Sequence, residues 1–141
     1  METPDVNILV NAFRSDAEDH LLCRKWIERQ LNASSQFALI PNVMSGFLRI
    51  VTHPRLFKHP SLRSEAMAFC QVLIDSEMSQ WIGPGVRHWD IFRALCEEGD
   101  ARGNLIPDAW LAAVVIENGC EWVSLDRDFA RFSSLKWKSP T

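Results

Sequence analysis

Pro107-Asp108-Ala109-Trp110-Leu111-Ala112-Ala113-Val114-Val115-Ile116-Glu117-Asn118-Gly119-Cys120-Glu121-Trp122-Val123-Ser124-Leu125 is the stretch whose reading decides the fold class. Its proline suits the first turn of a helix. The residues from Asp108 to Asn118 are apolar on nearly every side, the pattern of a helix packed deep in a domain. Gly119 stops that helix, and Glu121 to Leu125 is the clearest strand in the chain.

The same alternation runs upstream. A very short first strand ends near Asp5, ahead of Val6 to Phe13, and Asp16 to Asp19 offers caps for a helix reaching about Leu31. Phe37 to Ile40 reads as a buried strand, and Pro41 opens a helix through Val43, Phe47 and Ile50 that His53-Pro54 ends. Leu62, Ala66, Phe69, Cys70, Leu73 and Ile74 form one apolar helical stripe. Ser79 to Ile82 is short and β-like, Trp89, Phe92, Leu95 and Cys96 mark a helix that stops at Gly99, and Asp128 to Phe132 is a short helix before the tail. Strands alternating with helices pair in parallel with helices on both faces. The class is therefore α/β: a three-layer α/β/α sandwich with a central, mainly parallel sheet, in a single domain spanning residues 1–141.

Composition excludes several functions. A chain of 141 residues that is 47% hydrophobic and 23% charged matches an ordinary globular domain. It has no run of about 18 apolar residues to span a bilayer and no signal-like N-terminus, so it is read as cytoplasmic, with no membrane partner. Cys23, Cys70, Cys96 and Cys120 form no C-x-x-C pair, and the four histidines show no metal-site spacing. The net charge of −3 leaves no overall basic footprint for nucleic acid, although Arg49, Arg55, Lys58 and Arg63 form one basic cluster and Arg127, Arg131, Lys136 and Lys138 another. Either cluster suits phosphates or a solvated face.

Four acids stand at punctuated positions: Asp5 at the end of the first strand, Asp108 at a helix start, and Asp126 and Asp128 just after the last clear strand. In a parallel sheet all strand ends of one kind share an edge, so Asp5 and Asp126 converge, and Asp108 joins them if the loop from Gly103 to Ile106 carries its helix start there. Gathered carboxylates repel by about a few kcal/mol per close pair unless a cation sits between them. Hard oxygen ligands suit Mg²⁺, with Mn²⁺ the alternative. Taken singly, each acid has a second reading as a helix cap or solvated turn.

Three blocks extend this reading. Pro4-Asp5-Val6-Asn7-Ile8-Leu9 resembles the opening of PIN-domain VapC toxins, and Gly46-Phe47-Leu48-Arg49-Ile50-Val51-Thr52-His53-Pro54-Arg55 is similar to a stretch in one branch of that family. Asp108-Ala109-Trp110-Leu111-Ala112-Ala113 and Ser124-Leu125-Asp126-Arg127-Asp128-Phe129 match its closing signatures. The resemblance implies a Mg²⁺-dependent endoribonuclease acting on structured cellular RNA, held inactive by a cognate antitoxin and paired as a homodimer. It carries over Asp5, Asp108 and Asp126 as metal-binding acids and Asp128 as a further catalytic acid, with Asn7 and Ser124 orienting them. One departure stands out. The family has a glutamate early in the helix after the second strand, about where Met44 stands, and Asn42 to Gly46 contains no acid. A rival reading is a catalytically silent module that binds RNA or protein on the same scaffold.

Overall fold

The computed structural model describes all 141 residues. Five short strands, β1 (Glu2–Pro4), β2 (Phe37–Leu39), β3 (Ser79–Trp81), β4 (Glu121–Val123) and β5 (Trp137–Lys138), pair throughout in parallel in the order β3-β2-β1-β4-β5. The helices are α1 (Val6–Phe13), α2 (His20–Asn32), α3 (Pro41–Val51), α4 (Arg63–Ile74), α5 (His88–Glu98) and α6 (Leu105–Glu117), with a 3₁₀ helix at Arg127–Arg131.

Strand order places the site before any side chain is considered. From β1 the chain steps outward to β2 and β3, then crosses back to lay β4 on the other side of β1. Right-handed crossovers put α1 to α4 on one face and α5 and α6 on the other. The packing agrees: α1 rests on α2 and α3, α3 on α4, and α5 on α6. The direction reverses between β1 and β4, and the crevice beyond their carboxyl ends is where open α/β sheets bind ligands.

The core joins the layers. Phe13, Phe47 and Phe69 from α1, α3 and α4 meet with ring centroids 5.3–5.5 Å apart. Trp122 of β4 packs edge-on against Phe129 at 5.4 Å, fixing the 3₁₀ helix to the sheet. Ala109, Ala112, Ala113, Val114 and Val115 of α6 are all buried, as the apolar pattern of that helix requires.

The sequence reading needs adjustment at several places. Helix α6 begins at Leu105, so Pro107 sits at the third helical position, where its missing N–H is still one of the orphan donors. The loop expected through Ile106 is therefore two residues shorter. Gly119 does end the segment, with φ +65 that a side chain would strain. Leu62, placed on the apolar stripe of its helix, precedes α4 as its N-cap and is 64% exposed, and Trp89, which does fall in α5, is 65% exposed. The tail after the 3₁₀ helix supplies β5.

Candidate active site

Asp5 follows β1 directly and starts α1. Its Oδ1 accepts the Val6 N–H at 2.7 Å, so it caps the helix, while its own N–H extends the sheet to the Val123 carbonyl at 2.9 Å. Oδ2 accepts from the Ser124 hydroxyl at 2.6 Å and from Asn7 Nδ2 at 3.3 Å. Ser124 Oγ in turn accepts from Asn7 Nδ2 at 3.1 Å and from the Asp126 N–H at 3.0 Å. With both acceptor sites filled, the one hydroxyl proton of Ser124 is committed to Asp5. Asn7 Oδ1 closes the knot on the Leu125 N–H at 3.1 Å. The ends of β1 and β4 are thus tied by side chains drawn from both.

β5 steadies the same point from outside. The Trp137 indole N–H donates to the Ser124 carbonyl at 3.1 Å, and the Ser124 N–H donates to the Lys138 carbonyl at 3.1 Å.

A cleft of about 360 Å³ opens over this knot, lined by Asp5, Asn7, Asn11, Asp108, Asp126, Val6, Val10, Ile50 and Phe129. The convergence expected of Asp5, Asp108 and Asp126 is therefore met. Burial pushes the Asp5 carboxyl up to about 6, with the charges of Asp108 and Asp126 adding to the effect and the hydrogen bonds from Ser124 and Val6 opposing it. Asp108 is also raised, first by burial and then by Asp126 and Asp128, while Arg131 acts the other way. Asp126 caps the 3₁₀ helix by accepting the Asp128 N–H at 2.9 Å. Asp128 is exposed and does not line the cleft. The cap reading thus applies to Asp5 and Asp126, whereas α6 receives no side-chain cap, from Asp108 or any other residue.

The donor set is all hard oxygen, with no cysteine or histidine in the cleft, which suits Mg²⁺ or Mn²⁺. As the side chains stand, no three acids, histidines or cysteines enclose an ion. Burial and mutual repulsion, both of which a cation would relieve, are the features that fit one. Elsewhere, burial raises the Cys23 and Cys70 thiols to about 11, so both are inert packing groups. Lys138, assigned above to a basic cluster, is paired with Glu2 and lies 3.9 Å from Glu121. A larger depression of about 440 Å³ lies between Arg14 and the segment from His59 to Glu65, but the one buried charge there is fully paired.

Met44 was the position compared with the family's glutamate, and the structure buries it in the core at 5% exposure, away from the cleft lining. The face of α3 toward the cleft is instead the one carrying Ile50 and, one turn earlier, Gly46, whose missing Cβ would come within 3.3 Å of Val6 Cγ2. Val6, Val10, Asn11 and Ile50 were not foreseen as cleft residues; the helical step back from Ile50 is the signal that would have found the right face of α3.

A model of the PIN domain matches residues 3–135. Ribonuclease VapC25 of Mycobacterium tuberculosis is 43% identical over 136 residues, 96% of each chain. Ribonuclease VapC33 of the same species is 32% identical over 140 residues, 99% of this chain and 98% of that one. Among solved structures, VapBC2 from Rickettsia felis bound to a fragment of promoter DNA superposes with a TM-score of 0.69 at 15% identity, covering 98% of this chain and 97% of that one.

Proposed function

Because the chain belongs to the PIN-domain family, among its VapC ribonucleases, we propose that it is a divalent-metal-dependent endoribonuclease and the toxin of a toxin–antitoxin pair. The observation that carries the reading is the meeting of Asp5, Asp108 and Asp126 in one cleft at the point where the strand order reverses. Asp5, Asp108 and Asp126 hold the ion, and Asp128 acts on the site through its charge on Asp108. A divalent cation, when bound, supplies Lewis-acid stabilisation of phosphoryl charge and acidifies water. The chain's own part is orientation. Ser124 and Asn7 donate to Asp5 Oδ2 and the Val6 N–H to Oδ1, and Ser124, by also accepting the Asp126 N–H, keeps the acids of β1 and of the β4 end in register. Three carboxylates that do not enclose an ion fit Mg²⁺, which usually keeps waters and takes phosphate oxygens from its substrate. Metal and RNA therefore bind cooperatively, each supplying what the other's site lacks.

The partners follow from the same charge pattern. A cognate antitoxin inhibits by laying a basic side chain, most simply an arginine fork, against the acids in place of the ion; pairing as a homodimer is carried by the family resemblance alone. A complex structure with every antitoxin cation far from the cleft would reject that mode of inhibition.

RNA cleavage measured with Mg²⁺, with Mn²⁺ and with chelator tests the nuclease. Cleavage should need the metal and stop in chelator. What favours the rival silent module is the missing acid between Asn42 and Gly46, where the wider family carries a glutamate. Failure to cut any cellular RNA at saturating Mg²⁺ would decide for it.

A further inference from the structure

The acid cleft is two-natured. Beside its carboxylates stand Val6, Val10 and Ile50, half-buried and open to the same space. We propose that this apolar wall seats a nucleobase of the RNA strand, next to the phosphate that meets the acids. The inference rests on the nuclease reading and adds what fills the rest of the site.

A hydrated cation gains nothing from aliphatic neighbours, which cannot replace its water shell. A ligand that is anionic at one end and flat and apolar on its faces satisfies both halves at once, and a nucleotide has that form. The volume of about 360 Å³ lies at the small end of the roughly 300–1,000 Å³ typical of ligand pockets, room for one such unit. The back of the wall is fixed, since any side chain at Gly46 would press on Val6 Cγ2.

The polar groups beside the wall are largely engaged by the fold. Asn11 donates to the Asn7 carbonyl at 2.8 Å and accepts the Asp19 N–H at 3.2 Å, while the Asn7 amide is committed to the knot under Asp5. One Asn11 N–H is left over, less than the paired donor and acceptor that reading a base edge takes, so the seat accepts purines and pyrimidines through their faces.

The test uses the full chain, methyl-labelled, titrated in Mg²⁺ with ribose 5-phosphate, adenosine 5′-monophosphate and uridine 5′-monophosphate. Both nucleotides should bind about tenfold more tightly than the sugar phosphate, from burial of the base face, and within about threefold of each other. Only the nucleotides should move the Ile50 methyl resonance upfield by ring current. Ile50→Asn should abolish the advantage of the base, and the milder Val10→Ala should reduce it if the first variant folds poorly. Equal affinity for all three ligands with a still Ile50 methyl would overturn the seat and leave the cation site standing. No Mg²⁺-dependent binding of any of them would overturn both.

Discussion

Arg14 and Asp5 are equally buried, each 8% exposed, and the fold treats the two charges in opposite ways. Arg14 ends α1 and is met from every side. Asp16 takes its Nε and Nη2 at 2.9 and 2.7 Å, the His59 carbonyl and Ser61 hydroxyl take Nη1 at 3.0 and 2.9 Å, and the Phe57 ring lies 3.9 Å from the guanidinium carbon. Asp5, at the other end of the same helix, has hydrogen bonds but no cation, and its charged neighbours are two more carboxylates. A buried charge that is fully paired closes a loop onto the fold. A buried charge crowded by its own sign is held ready for something that is not part of the chain.

The largest effect should come from unbalancing the crowded side. Asp108→Asn removes charge at nearly constant volume and should lower RNA cleavage by about a thousandfold with an unchanged circular dichroism spectrum. Near-normal cleavage would put Asp108 outside the chemistry. On the paired side, Arg14→Met should leave cleavage intact and destabilise the protein by about 2 kcal/mol in urea titrations, since several hydrogen bonds to a charged group go at once. If cleavage fell while stability held, the division between the two regions would be wrong.

The smallest effect is the most telling, because its sign is opposite. The Asp5 carboxyl is raised in the fold from 3.8 to about 6. Between those values the native state binds more protons than the unfolded chain. The stability due to this group is therefore present at low pH and lost as pH rises through about 6. One pH unit corresponds to about 1.4 kcal/mol, so metal-free protein gives up about 3 kcal/mol here by pH 8. Asp5→Asn should recover about 1 kcal/mol of it, not all, because an amide has one acceptor oxygen where the carboxylate uses two. Thermal unfolding in chelator should show the variant more stable than wild type at pH 8, with the gap closing below about pH 5. A variant less stable throughout would show that the hydrogen bonds outweigh the repulsion.

Much of this was legible in the sequence. Alternating periodicity gave the class, and acids placed just beyond strands gave the sheet edge where they meet. What escaped detection has physical reasons. β5 is two residues long, too short for any period, and shows itself only through its pairing with β4. Proline's preference for the first helical position points to a start at Pro107, yet proline is tolerated anywhere in the first turn, and α6 begins two residues earlier. Met44 was compared with a glutamate by position along α3, but the face a residue presents depends on its neighbours, and only packing shows that Met44 points into the core while Gly46 and Ile50 face Val6 and the cleft.

The register of β1 against β4, with Glu2 opposite Glu121 and Pro4 opposite Val123, also bears on how the protein comes to life. The hydrogen bond from Ser124 to Asp5 spans 119 positions of chain, so the site belongs to the slow, non-local part of folding. A half-folded chain in which α1 to α4 have already packed holds Asp5 with Val6 and Asn7 but lacks Ser124, Asp108 and Asp126. Recovery of nuclease activity during refolding should then lag behind recovery of helix signal, and a stalled intermediate is harmless to RNA.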